Sequence, residues 1–368
     1  MSDIVKNKRV LVTGACGTVG AELVRQLLTD SKYSPEEVIG IDNNESDLFF
    51  LDQHYLEDVR ARFFVADIRD RDELARRMRG IDIVFHSAAL KHVILCERSP
   101  EQAVQTNIHG VQNIIAAASQ NNVQRVIFTS SDKAVNPTNV MGTSKLMGER
   151  LMTAANSNKR GVGPIFASTR FGNVMGSSGS VIPIFHNQIS NGGPVTLTHR
   201  QMTRFVMSIE EAVKLVLDSA DVARGGEVFI TKMPVVRIED LAQAMIEELA
   251  PMYGHAPESI DVVDIGVKPG EKLYEELMSD EETRRSIELE KYFCVLPAFR
   301  GIYHDIDYDY PDILNERVDN PYSSAQQERL SVKEIQNLLR SCGLLHAPKE
   351  ATDSRYWPGD KEEIVDPD

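Results

Sequence analysis

The run Ser130-Ser131-Asp132-Lys133-Ala134-Val135-Asn136-Pro137-Thr138-Asn139-Val140-Met141-Gly142-Thr143-Ser144-Lys145 carries the densest chemistry in the chain. A hydroxyl, a carboxylate and an ammonium stand side by side at Ser131, Asp132 and Lys133. Adjacent groups of this kind accept, hold and return protons as successive reaction steps demand. Lys145 follows on a helical pattern, with Met141 one turn before it on the same face. A thioether has no titratable proton, so Met141 is no base. The competing reading of Asp132 and Lys133 is a turn with a surface ion pair.

A second chemistry-bearing stretch opens the chain: Thr13-Gly14-Ala15-Cys16-Gly17-Thr18-Val19-Gly20. Its glycines suit a tight turn, close approach of backbone to a pyrophosphate, and packing of helix on strand. The helix that starts there presents free N–H groups and a partial positive charge to a diphosphate. The reading is dinucleotide binding. The G-x-x-G-x-x-G spacing resembles that of the extended short-chain dehydrogenase/reductase superfamily. Asp42 ends a predicted strand, where a carboxylate accepts from ribose hydroxyls and repels a 2′-phosphate. Asn43 and Asn44 bring no arginine to welcome that phosphate, so NAD is expected over NADP. Asp67 and Ile68 are expected to bracket the adenine. The alternative for Asp67 is a helix N-cap.

Such groups need a frame. Strands are expected at 8–12, 38–42, 62–66, 81–85, 125–129 and 164–170. Helices are expected at 21–29, 70–79, 100–120 and 142–156. This alternation predicts an α/β chain, a Rossmann doubly wound parallel sheet with a smaller C-terminal α/β substrate-binding lobe. The rhythm breaks near residue 175, before a short strand at 195–198 and amphipathic helices at 208–220 and 238–249. The expected domains are 1–175 for cofactor and catalysis, 176–310 for a partly interleaved substrate-binding lobe, and 311–368 for a C-terminal extension. The last is polar with an acidic end, and reads as solvated or draped on the surface.

Composition narrows the partners. The 368 residues include 40 Lys and Arg against 55 Asp and Glu, a net charge of −15. That disfavours coating a nucleic acid or an anionic membrane. The four cysteines, Cys16, Cys96, Cys294 and Cys342, are scattered and read as free thiols of a reducing compartment. No leader and no membrane span is recognised, so a cytoplasmic protein without membrane or nucleic-acid partners is expected, and no metal site.

The stretch from Ser130 to Lys145 resembles the nucleotide-sugar 4,6-dehydratases of the UDP-N-acetylglucosamine type. These form the polysaccharide-biosynthesis branch of the extended short-chain dehydrogenases. The resemblance includes His86-Ser87-Ala88-Ala89-Leu90-Lys91-His92-Val93, Thr106-Asn107, Arg170-Phe171-Gly172-Asn173-Val174 and Gly179-Ser180-Val181-Ile182-Pro183. It continues through Met202-Thr203-Arg204-Phe205 and Lys268-Pro269-Gly270-Glu271-Lys272. Most of the superfamily has Tyr-x-x-x-Lys where this chain has Met141 and Lys145. A Met-containing subgroup resembles retaining dehydratases, which keep the C5 configuration.

The resemblance implies conversion of UDP-N-acetylglucosamine to its 4-keto-6-deoxy derivative for bacterial surface glycans, with NAD acting catalytically. Ser131, relaying through Lys145, would serve the C4 hydroxyl; Asp132 would be the acid at C6, and Lys133 the base at C5. The base role requires a depressed Lys133 pKa, from burial or from Lys145. Ala88, Ala89, Lys91, Asn107 and Lys145 are implied beside NAD. Arg204 and Lys268 would meet the substrate diphosphate, although the family usually has arginine where Lys268 stands. Glu271 would accept from ribose, Asn173 and the backbone of Ser180 and Val181 would hold sugar and phosphate, and Lys91 would lie near the cofactor or sugar. His92 reads as a polar loop residue. The alternatives are the same reaction on GDP-N-acetylglucosamine, a C5 or C4 epimerase, and a non-catalytic NAD-binding protein. A homo-oligomer, a dimer or larger, is implied.

Overall fold

Apolar side chains alternate along the first strands and supply both faces of one sheet. In β1 (Arg9–Thr13), Val10 and Val12 enter one apolar core while Leu11 enters the other. The remaining central strands are β2 (Glu37–Asp42), β3 (Ala61–Val65), β4 (Ile83–His86), β5 (Arg125–Ser131) and β6 (Ile165–Phe171). Phe85 and Ile127 join Val10 and Val12; Val84, Val126 and Phe128 join Leu11. In the computed structural model these strands pair in parallel in the order 3-2-1-4-5-6. Residues 4–157, 163–177, 179–299 and 306–345 are described.

The expected doubly wound sheet is thus present. Its order reverses between β1 and β4, which opens a crevice at the carboxyl ends of those strands. The sheet then runs on through Val228–Thr231, Tyr292–Val295, Ser286–Leu289 and Ile313–Asn315, the last three joined antiparallel. Residues well past 175 therefore build the main sheet.

Several local expectations change. Asp70 caps its helix by accepting from Glu73 N at 2.9 Å, so that helix is only Arg71–Arg77. The predicted helix 100–120 contains a wider π-helical turn at Val104–His109. Helices not expected from the sequence form at Glu45–His54, Val93–Arg98 and Val181–Ser190. The segment after 311 is not a loose surface tail as far as residue 345. Ile313–Asn315 is a sheet strand, and Tyr322–Ser323 pairs with Glu276–Met278. Ile335 and Leu339 of the helix Val332–Ser341 join a third apolar core, beside Leu241 and Met245 of the helix Ile238–Leu249. The acidic end lies outside the described residues. No described helix is long and apolar enough to cross a membrane.

A buried charge cluster ties these parts together. Arg170, 1% exposed on β6, donates to both Glu149 oxygens at 2.7 and 2.6 Å. It also donates to both Glu282 oxygens at 2.9 and 2.8 Å, and to Leu277 O at 3.0 Å. Glu149 belongs to the helix Val140–Ser157, and Glu282 closes a capping box with Ser279. Burial alone would raise the Glu282 pKa, but Arg170 outweighs it and brings it down to about 2. Replacing Arg170 by Met leaves two carboxylates buried without their cation, and should cost roughly 3–5 kcal/mol in urea unfolding. Because the folded-state pKa of Glu282 is depressed, its contribution is complete above about pH 5. It is lost as pH falls towards 2, so acid unfolding of Glu282→Gln should be less steep than that of the wild type.

Candidate active site

The crevice beside β1 and β4 holds a cavity of about 710 Å³. Gly14, Gly17, Asp42, Asp67, Ile68, Ala88 and Ala89 line it, as the sequence suggested. Gly14 has φ +71°, and a Cβ there would meet Ala88 N at 2.7 Å. A Cβ at Gly20 would fall 1.9 Å from Gly14 O, so these glycines let loop, helix and neighbouring strand close up. Thr18, Val19 and Gly20 form the first turn of the helix Thr18–Thr29, whose N-cap Gly17 supplies no side chain to its N–H groups. Asp42 accepts from Cys16 N and Asn44 N, both at 3.0 Å, and so ties the end of β2 to the glycine loop. The residues fit a dinucleotide: open helix N–H groups for the diphosphate and a carboxylate at the ribose end.

Two expectations for this cavity are corrected, and the alternative reading of Asp67 falls. Thr13 is fully buried, with its hydroxyl 2.7 Å from His86 Nδ1 and accepting from Ala88 N. It braces the two strands. Asn107 is committed to Leu90 N, Leu90 O and Ser144 Oγ at 2.8, 3.0 and 2.9 Å, so it shapes the wall rather than offering its amide to a cofactor. Asp67 is no N-cap, since Asp70 fills that place; it is paired bidentately with Arg69, which also lines the cavity. Lys91 is exposed between Leu90, a wall residue of this cavity, and His92, a wall residue of the next.

The carboxyl end of β5 delivers the catalytic candidates. Ser131 Oγ donates to Asp132 Oδ1 at 2.6 Å and accepts from Lys133 N. Asp132 is fully buried, and its Oδ2 has no hydrogen-bond partner. Lys133 Nζ lies 3.0 Å from Asp132 Oδ1 and 3.7 Å from Glu275 Oε1. Burial would lower the Lys133 pKa, but the two carboxylates outweigh it and raise it. The expected depressed lysine is therefore absent at this position; the cation is held. Lys145 behaves the other way. It donates to Thr129 O at 2.9 Å, and burial pushes it down to about 8 against the pull of Glu149 and Cys96. Ser131 is bonded to Asp132 and Lys145 to Thr129, so the expected direct Ser131–Lys145 relay is replaced by a Ser131–Asp132 link. Met141 is buried against Cys96 and Ala103, an apolar filler.

A second cavity, about 650 Å³, meets the first at Leu95, which lines both. Lys133, Asn173, Val181, Arg204, Lys268 and Glu271 come together there, as expected from residues far apart in sequence. One substrate assignment changes. The Arg204 guanidinium is engaged by Thr203 O and Lys272 O at 2.8 and 2.9 Å and flanked by Glu271 and Glu275. The exposed cation of this wall is Lys268. Ser180 is the N-cap of the helix Val181–Ser190, and its hydroxyl is buried without a partner.

Sequence reasoning missed Glu275, which lines the second cavity 3% exposed. Burial and Asp132 raise its pKa against Lys133, Arg204 and Lys272. It lies just beyond the Lys268–Lys272 motif, and only the fold brings it to Lys133.

Fold and site together define a doubly wound α/β protein whose β5 end carries a Ser-Asp-Lys cluster, with Lys133 in the wall of the second cavity. Residues 10–297 match the model of the polysaccharide biosynthesis protein family, and the chain belongs to that family. An uncharacterized membrane protein of Methanocaldococcus jannaschii is 52% identical over 345 residues, 94% of this chain and 99% of that one. A protein of Campylobacter jejuni named UDP-N-acetylglucosamine 4,6-dehydratase (inverting) is 38% identical over 302 residues, 82% of this chain and 86% of the relative. One of Rickettsia akari named UDP-glucose 4-epimerase is 35% identical over 343 residues, 90% and 95% of the two chains. Among solved structures, Pen from Bacillus thuringiensis superposes with a TM-score of 0.83 at 39% identity, over 92% of this chain and 98% of that one.

The two lysines of the site should titrate apart. Lys145 loses its ammonium as pH rises through about 8, well below the ordinary 10.5. NMR of ¹³C-methylated protein should show a signal with a midpoint near 8 that disappears in Lys145→Arg; a Lys145 midpoint near 10.5 contradicts the burial argument.

Proposed function

We propose that this protein is an NAD-dependent nucleotide-sugar 4,6-dehydratase that converts UDP-N-acetylglucosamine to its 4-keto-6-deoxy derivative. The observation that carries the reading is the Ser131–Asp132–Lys133 cluster at the carboxyl end of β5, whose Lys133 lines the second cavity. The name of the Campylobacter relative supports it. NAD, seated by Gly14, Gly17, Asp42 and the helix Thr18–Thr29, supplies the hydride acceptor and donor that serve C4 and then C6.

Ser131 takes the proton of the C4 hydroxyl and passes its own to Asp132 along the 2.6 Å hydrogen bond. Asp132 then holds the proton that the C6 oxygen needs to leave as water. The Lys133 ammonium stabilises the Asp132 carboxylate whenever that proton is away. Lys145 places a second charge beneath the strand end, by way of Thr129 O. Lys268 meets the sugar-nucleotide diphosphate in the second cavity.

Retention at C5 belongs to the same proposal. It rests on the likeness of the Met141 motif to the retaining subgroup; the Campylobacter relative, named as inverting, stands against it, and the product's C5 configuration decides. The Rickettsia relative favours a C4 epimerase as the second reading. An epimerase expels no leaving group, which leaves the Asp132–Lys133 pair without work. Met141 also occupies the place where the superfamily's usual base stands.

Incubation with UDP-N-acetylglucosamine, beside GDP-N-acetylglucosamine, should give a 4-keto-6-deoxy product by NMR with no net reduced cofactor. Asp132→Asn should lower turnover by about 100-fold or more. Normal turnover of both Asp132→Asn and Lys133→Ala removes the basis of the proposal, and a C4 epimer as product replaces it with the second reading.

A further inference from the structure

Lys133 is a poor base where it stands. Two carboxylates flank its Nζ, at 3.0 and 3.7 Å, and together they hold its proton. A 4,6-dehydration still needs a group that removes the C5 proton once C4 is a ketone. Asp132 is engaged with Ser131 and Lys133 and already has a proton to deliver at C6. Two carboxyl groups in the same wall, Glu271 and Glu275, have a buried oxygen without a partner, and of these Glu275 is the one beside Lys133. Glu275 is 3% exposed, lines the second cavity, and has an oxygen, Oε2, that is buried without a hydrogen-bond partner. Unsatisfied buried carboxylate oxygens are costly, and they persist where function requires them.

The surroundings hold Glu275 firmly. Its N–H donates to Ser324 Oγ at 2.9 Å, and its carbonyl accepts from Ser324 N at 2.9 Å. The strand that follows, Glu276–Met278, pairs with Tyr322–Ser323. The charged groups facing the carboxyl are Asp132 and Lys133 from the end of β5, Arg204 from the strand Thr203–Met207, and Lys272 from its own segment. Burial favours its protonated form more than is usual for glutamate, which suits a group that must both take and return a proton.

We propose that Glu275 is the catalytic base at C5, with Lys133 a fixed cation beside it. The inference rests on the dehydratase reading. The Glu275 carboxylate takes the C5 proton, and the C5–H electron pair enters the enolate of the C4 ketone. That pair then forms the C5–C6 double bond as the C6–O bond breaks; Asp132 gives its proton to the departing oxygen, and water leaves. Glu275 finally returns its proton to C5 as the hydride removed from C4 is delivered to C6. One group acting from one side in both directions yields retention.

The test separates Glu275 from Lys133 by step. In deuterated buffer with UDP-N-acetylglucosamine, Glu275→Gln should lose C5 deuterium incorporation by about 100-fold or more. It should still show transient cofactor reduction from C4 oxidation. Glu275→Asp should recover part of the exchange, and carries the test if the Gln variant does not fold. Lys133→Arg, which keeps the charge but cannot be a base, should retain exchange that Glu275→Gln lacks. Undiminished exchange in Glu275→Gln, or exchange abolished in Lys133→Arg, overturns the proposal. A substrate-free arm stands apart from the dehydratase reading: NMR titration of ¹³C-methylated protein should keep Lys133 protonated through pH 10. A Lys133 midpoint below 8 restores Lys133 as base and overturns the proposal, even if no nucleotide sugar is turned over.

Discussion

Arg170 lies buried between Glu149 and Glu282, and the active site hangs on that arrangement. Glu149 belongs to the helix that carries Met141 and Lys145; Arg170 belongs to β6, next to the strand that ends in Ser131. Glu282 and Leu277 belong to the segment just after Glu275. A buried guanidinium with this many planar donors fixes direction as well as distance, because each carboxylate is held by two bonds. A single side chain thus sets the catalytic helix, the central sheet and the Glu275 segment against one another. Its desolvation cost is offset only while both carboxylates stay in place.

That frame sorts two lysines into opposite roles. Lys145 is buried beside a backbone carbonyl and the Phe128 ring, with Glu149 already committed to Arg170. Burial therefore wins and its proton is loosely held. Lys133 stands between Asp132 and Glu275, and there Coulomb attraction wins over burial. The same residue type, a dozen positions along the chain, becomes a titratable group in one place and a permanent cation in the other. The difference follows from what each lysine faces, since both lose hydration.

The negative charge of the whole chain says little about this pocket. Acidic groups outnumber basic ones overall, yet the second cavity gathers Lys133, Arg204, Lys268 and Lys272. Carboxylates come with them. Arg204 is drawn into backbone carbonyls and towards Glu271 and Glu275, and Lys272 donates to Val135 O. The walls balance their own charge, and exposed Lys268 is left at the surface of the site. A diphosphate there meets one point charge rather than an arginine fork.

The amino-acid sequence by itself determined the parallel sheet, the glycine loop, Asp42 and the Ser131–Lys133 cluster. Each is a local pattern: apolar runs of strand length, glycines where a Cβ clashes, polar groups at a strand's carboxyl end. It also placed Lys268 and Glu271 near the cluster through a family likeness. Tertiary structure alone decided the rest. Glu275 has no local signal, because its meaning comes from Lys133, remote in the chain. The corrected roles of Thr13, Asn107, Arg204 and Lys133 have the same origin. Their residue types allow the expected contacts, but partners from distant strands and loops take their hydrogen bonds or set their charge. The segment after residue 311 reads as polar tail since its apolar residues are sparse; Tyr322, Ile335 and Leu339 find their burial only against surfaces that the earlier chain has already built. Spacing along a chain specifies what a residue is able to do, and the three-dimensional neighbours of a buried charge decide which proton it keeps.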